Sequence, residues 1–269
     1  MKQAILLFAI WSSVAGSAHA QQPPAQETAA KAQQNCSELP ALQKRVESMN
    51  ARLMDWPLLA RYREDNAKLG APAKDAARVV FMGDSITDAW QQPQSGGFFP
   101  GKPYVDRGIS GQTTPQMLIR FRPDVIDLDP RVVVILAGTN DIAGNTGPMT
   151  LEEVEGNLAS MSDLAHAHGI LVVLSSVMPV SDITTPEGKK IVQTAHRPPE
   201  KILALNQWTK KYAAEHGDVY LDYFTPMADD KGALKGELTY DGLHPNAAGY
   251  TVMSPLAEKA IAEALATKH

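Results

Sequence analysis

The chain has 269 residues, 44% of them hydrophobic and 20% charged, with a formal net charge of −5. That length and apolar content suffice for one sizeable core. The negative balance leaves no basic face for nucleic acid or anionic lipid, so neither is expected as a partner.

In chain order, Lys2, the apolar run Ala4 to Trp11 and then Ala18-His19-Ala20 read as a secretory signal cleaved near Ala20. The apolar run is too short to span a bilayer. This predicts a periplasmic or secreted protein with no stable membrane insertion after cleavage. Residues 21–36, rich in Gln, Ala and Pro, read as a disordered linker. Cys36 is the only cysteine, so no intrachain disulfide can form, and it lacks the Leu-x-x-Cys context of a lipoprotein signal.

From Ser37 the pattern turns helical, with Leu39, Leu42, Val46, Met49 and Leu53 at steps of three and four. Pro57 interrupts it, and a second helix is predicted over 58–69, ending near Gly70. Strands and helices then alternate. Strands are expected at 78–82, from 104 to near Gly108, at 131–137, 170–177 and 219–222. Helices are expected at 113–121, 151–168, 199–216 and 246–267. Within the strands, the runs 132–137 and 170–174 are apolar throughout, as strands covered on both faces must be. Such alternation implies a parallel sheet with helices on both faces, a flavodoxin-like three-layer α/β/α sandwich with a five-stranded parallel sheet. Residues 91–103 and 178–198 are the widest irregular stretches, long enough to suggest a functional or mobile role.

In open α/β sheets, ligands bind outside the carboxyl ends of the strands. The first strand ends in Gly83-Asp84-Ser85-Ile86-Thr87, the second in Gly108-Ile109-Ser110-Gly111-Gln112-Thr113, and the third in Gly138-Thr139-Asn140-Asp141. Asp241-Gly242-Leu243-His244-Pro245 precedes the closing helix. One face thus gathers a hydroxyl, a glycine-lined turn, an amide and a carboxylate–imidazole pair. A serine at a helix N-terminus has unpaired backbone N–H groups beside it, which suits a nucleophile whose attacked carbonyl becomes an oxyanion. Ser85 N–H, Gly111 N–H and Asn140 can converge on that oxygen. His244 can take the serine proton, and Asp241 can orient the imidazole. Asp84 and Asp141 are expected to hold loops through hydrogen bonds, with Thr87 and Thr139 as loop-fixing hydroxyls.

At these residues the sequence resembles the SGNH (GDSL-like) hydrolase family. Its four name-giving residues fall in order at Ser85, Gly111, Asn140 and His244, and the likeness spans roughly 79–250. Ile86 stands where the GDSL name has leucine. The resemblance implies a sheet of order 2-1-3-4-5 and metal-free, cofactor-free hydrolysis of esters or thioesters. The Arg107 to Thr114 segment looks like the branch of platelet-activating-factor acetylhydrolase subunits and bacterial esterases, which favours short acyl groups. The substrate class implied is a small-molecule or glycan ester. Lysophospholipase, thioesterase and O-acyltransferase activities share the same machinery. A catalytically silent glycan- or lipid-binding module is the alternative of a different class.

Other residues point less sharply. Trp90, Phe98 and Phe99 could line a substrate pocket or simply pack. His196 and Arg197, in a long loop that could overhang the pocket, read as an exposed loop pair, with a substrate contact as the alternative. His166 and His168, two apart on a helix, point in different directions and do not suggest a metal site. Gly96-Gly97 has no lysine at the spacing of a phosphate-binding loop. The helices over 37–69 could cap the sheet or mediate self-association; the sequence itself sets no oligomeric state.

Overall fold

A computed structural model describes residues 25–73 and 76–267. The expected signal at 1–20 lies outside them, as do residues 21–24 of the expected linker. The chain divides into two units, Met1–Ala51 and Arg52–His269, and the sheet and the candidate site belong to the second.

The first helix, α1, runs over Ala25–Met54. Residues 25–36, expected as disordered linker, are therefore helical, and no break occurs at Ser37. The physical reason is composition: Ala, Gln, Glu and Lys are strong helix formers, and they outnumber the turn residues once Pro23 and Pro24 are passed. The second helix starts later than predicted, α2 covering Arg63–Leu69. Asp55 delays it, its carboxylate accepting from Leu59 N at 2.8 Å and Ala60 N at 2.9 Å and so winding 55–62 into turns.

The second unit then builds β1 (Val79–Gly83), α3 (Ser85–Asp88), β2 (Tyr104–Gly108), α4 (Thr114–Asp124), β3 (Val132–Leu136) and α5 (Thr139–Ile142). These are followed by α6 (Leu151–Ala167), β4 (Leu171–Ser175), a hairpin of β5 (Ile183–Thr184) and β6 (Lys190–Ile191), and α7 (Pro199–His216). The chain closes with β7 (Val219–Leu221), α8 (Phe224–Met227) and α9 (Ala247–Ala266). The five-stranded sheet has the order β2-β1-β3-β4-β7, all parallel, which is the expected 2-1-3-4-5 arrangement.

The period-two alternation of strand side chains feeds two cores. Val80, Met82, Val133, Ile135, Val172 and Leu174 pack with α4, α6 and α7. Val79, Phe81, Val132, Val134 and Val173 face α9, meeting Met253, Ala257 and Ile261. Every residue of β1 and β3 is buried, which explains why those runs carry no polar positions. Each buried Val or Ile contributes roughly 1.5–3 kcal/mol of transfer free energy. The result is a stiff frame whose carboxyl ends, at Gly83, Gly108 and Leu136, lie in register side by side.

Candidate active site

At the end of β1 the chain turns directly into α3. Asp84 caps this short helix by accepting from Ile86 N at 3.0 Å. Ser85 is its first residue, so its N–H has no intrahelical acceptor and stands at the positive end of the turn. β2 comes close because Gly108 has no side chain: a Cβ there would sit 2.1 Å from Asp88 N. Beyond it, Gly111 adopts φ +78°, a left-handed conformation that glycine accepts without strain. Its N–H takes no hydrogen bond among the described residues.

The fourth block arrives from the far end of the chain. Thr239 shapes it, donating to His244 O at 2.7 Å and accepting from Gly242 N at 3.0 Å. Tyr250 on α9 then clasps the Ser85 turn, its hydroxyl donating to Ile86 O at 2.8 Å. Ser85 Oγ lies 2.9 Å from His244 Nε2, and His244 Nδ1 lies 2.6 Å from Asp241 Oδ2. Asp241 Oδ1 accepts from the backbone N–H of His244 at 2.8 Å and Leu243 at 3.0 Å. Burial works against the Asp241 charge, but the hydrogen bonds and charge of His244 and the Leu243 N–H outweigh it and hold the carboxyl below its ordinary range. An anionic Asp241 facing Nδ1 favours the tautomer that leaves Nε2 free to accept a proton.

Asn140, on α5, donates from Nδ2 to Gln112 O at 3.0 Å and to Asp84 Oδ2 at 3.3 Å. Asn140 is thus held at the crossing of the first three blocks. Asp84 is fully buried, and burial pushes its carboxyl up to about 6 despite the Ile86 N–H. Asp141 accepts from Thr114 N at 2.9 Å and Thr114 Oγ1 at 2.6 Å, pinning the start of α4 to α5. Thr87 is buried over Gly83, where a Cβ would collide with its hydroxyl at 2.0 Å.

A serine–imidazole–carboxylate chain beside a turn rich in free N–H groups has a family counterpart. The sequence profile of the GDSL-like Lipase/Acylhydrolase family matches residues 81–252, the stretch that holds Ser85, Gly111, Asn140, Asp241 and His244. The chain belongs to that family. A GDSL-like lipase from Bacteroides thetaiotaomicron is similar in structure with a TM-score of 0.70 and 42% identity, over 77% of this chain and 98% of that one. A catalytic mutant of Axe2, an acetylxylan esterase from Geobacillus stearothermophilus, shares the fold with a TM-score of 0.55 and 20% identity, over 70% and 96% of the two chains. The "Uncharacterized lipoprotein YqeF" of Bacillus subtilis is 33% identical over 79 residues, 28% of this chain and 32% of the relative, so the match spans about a third of that protein's length.

This GDSL-like site contains residues that sequence reasoning missed. Asn145 Nδ2 reaches both Asn140 Oδ1 at 3.0 Å and Gly111 O at 3.2 Å. Only its place five residues after Asn140, in a Gly-Asn-Thr-Gly turn, could have signalled it. Arg197 is no exposed loop residue: it is 8% exposed, donates to Thr139 Oγ1 at 3.0 Å and approaches Asn140 Oδ1 at 3.5 Å. It also donates to Gln193 Oε1 at 3.0 Å, while Gln193 Nε2 donates to Asp241 O at 3.1 Å. The 178–198 stretch, which contains β5 and β6, thereby braces the Asn140 side of the crevice against the Asp241 turn. The exposed Tyr240 ring stacks on the His244 imidazole, centroids 5.7 Å apart.

Trp90 and Phe99 are packing residues. Both are buried, packing with Phe81, Tyr250 and the partly buried Tyr104 in an aromatic cluster beneath α3, so their rings stiffen the Ser85 turn and do not line its mouth. His166 pairs with buried Asp218 at 2.7 Å, a contact its sequence neighbours do not reveal.

Proposed function

We propose that the chain is an exported serine esterase that cleaves carboxylic esters of short acyl groups through an acyl-enzyme. Ser85 Oγ attacks the ester carbonyl while His244 Nε2 takes its proton. Asp241 orients the imidazole and stabilises its charged form. The oxyanion accepts hydrogen bonds from Ser85 N–H, Gly111 N–H and Asn140 Nδ2. For Asn140, the bond an oxyanion would displace is the longer one, at 3.3 Å to Asp84. The tetrahedral intermediate collapses with cleavage of the C–O bond, and the alcohol leaves with the proton held by His244. Water then repeats the sequence on the acyl-serine, returning the free acid and Ser85.

The observation that carries this reading is the continuous chain from Ser85 Oγ through His244 to Asp241, at 2.9 and 2.6 Å. Export is supported by the sequence of residues 1–20. Among the described residues, no helix is long and apolar enough to cross a membrane.

The test is stopped-flow hydrolysis of nitrophenyl acetate together with fluorophosphonate labelling. A burst of nitrophenol, covalent labelling at Ser85, and loss of both in Ser85→Ala are expected. Undiminished turnover by the alanine variant would exclude Ser85 as nucleophile. A folded wild type that neither labels nor turns over would point to a silent binding module.

A further inference from the structure

A pocket of about 510 Å³ lies against the Gly111 side of the candidate site. Its walls come from two sources. One is the oxyanion neighbourhood, with Ser110, Gly111, Asn145 and Thr146; the other is the turn before α2, with Asp55, Trp56 and Leu58. The second wall lies outside the family match at 81–252.

That turn is built as a fixed wall. Gln116 Nε2 donates to Trp56 O at 2.7 Å, and Gln112 Nε2 donates to Pro57 O at 2.7 Å. Asp55 ties down Leu59 N and Ala60 N from the other side. Leu58 is held at φ +55°, a left-handed conformation that costs a bulky residue free energy and persists only where the surroundings over-determine it. Strain of this kind concentrates at ligand-contacting turns. Trp56 is nevertheless left 39% exposed, although indole is among the most readily buried surfaces a turn can offer.

The rest of the lining decides what could lie there. Asn145 Oδ1 accepts no hydrogen bond among the described residues, and the hydroxyls of Ser110 and Thr146 retain accepting lone pairs. One aromatic face plus several acceptors does not match an alkyl chain, which would leave the acceptors unpaired. It matches a pyranose ring, whose C–H face covers indole while its hydroxyls donate around the edge. We infer that this pocket is a subsite for the sugar portion of an O-acylated glycan, with Trp56 as its platform, the ester extending past Gly111 towards Ser85. The inference rests on the esterase reading and narrows its substrate to acylated carbohydrate.

The experiment uses the full chain in a Ser85→Ala background, so that ligands are not turned over. Binding of acetylated xylotriose, mannotriose and cellotriose is measured by calorimetry. At least one should bind, with Trp56→Ala weakening Kd at least tenfold and Trp56→Phe restoring most of the affinity. Trp56→Leu, which keeps bulk without an aromatic face, should behave like the alanine variant. Unfolding midpoints of the variants establish that they are folded. No binding by any of the three glycans, or equal Kd with and without the indole, overturns the subsite. So does a Trp56 dependence confined to a decanoyl ester. Fluorophosphonate labelling of the wild type separates the two readings. A labelled protein blind to glycans sinks the subsite alone, and a glycan binder that does not label sinks the esterase.

Discussion

Asn145 Nδ2 sits 3.0 Å from Asn140 Oδ1, so one side-chain amide determines which way the other faces. A carbonyl oxygen engaged there leaves the Asn140 nitrogen turned toward Gln112 and Asp84, the side on which Ser85 stands. The same Asn145 nitrogen holds Gly111 O at 3.2 Å, so two of the proposed oxyanion donors share one brace. Removing a donor outright typically costs about 10²–10³ in rate. Loosening two of them should cost less, and Asn145→Ala is expected to lower kcat on nitrophenyl acetate about tenfold with little change in KM. A variant whose KM alone rises would mean that Asn145 binds substrate and does not position the donors.

Asp241→Asn should be far more damaging than its small size change suggests. An amide can keep Oδ1 as the acceptor for Leu243 N and His244 N, but its NH2 would then face His244 Nδ1 where Oδ2 now stands. The imidazole proton is driven to Nε2, which can no longer accept from Ser85. We expect kcat to fall by about 10³-fold or more with the fold intact. A loss of less than tenfold would show that the carboxylate does not select the tautomer.

Asp106 gives a pH signature in stability. Burial pushes its carboxyl up to about 7, with nearby Asp88 adding to the effect and the Gly108 N–H opposing it. Its Oδ2 is buried without a hydrogen-bond partner among the described residues. Because the folded state holds this proton more tightly than the unfolded one, its contribution is most favourable below about pH 4. It is lost as pH rises toward 7 and is level above that. Asp106→Asn keeps the acceptor for Gly108 N and removes the charge. Urea unfolding should therefore show the variant gaining on wild type between pH 4 and 7. A difference independent of pH would refute the shift.

Arg120 and Asp124 form an almost solvent-free ion pair at 3.1 Å, and Arg120 also donates to Gly83 O at 3.0 Å, just before the Ser85 turn, and to Gln112 Oε1. Arg120→Ala removes the ion-pair partner of the buried Asp124 carboxylate, leaving Asn66 Nδ2, at 2.8 Å, as its side-chain donor, and should cost about 3–5 kcal/mol in urea unfolding. Replacing both partners with apolar residues of similar volume should recover much of that loss. Failure to recover would assign the cost to the Gly83 and Gln112 contacts.

The sheet was legible because β1 and β3 are buried on both faces and carry no polar side chain, and β4 is apolar up to Ser175. The four site blocks were legible because each stands at a strand end or a helix start and places polar residues there, buried though many of them are. What escaped the reading depends on tertiary contact. Arg197 looks like a solvent-facing loop residue until Thr139 and Gln193 are seen beside it. The β5–β6 hairpin has two residues per strand, too few for any alternation to show. The turn at 55–62 replaced the expected first part of the second helix because one carboxylate competes for two N–H groups. Helix over 25–36 was obscured because Gln- and Ala-rich composition serves both linkers and helices.

Ser85 and His244 are separated by 159 positions, and α9, which follows the histidine, is what seals the Ser85 turn through Tyr250. A nascent chain therefore carries its hydroxyl for most of its synthesis with nothing to deprotonate it. Hydrolytic power should appear only at the final docking event. Nicked or truncated fragments lacking the last helix would be inert toward esters around them, which makes turnover itself a sensor of complete folding.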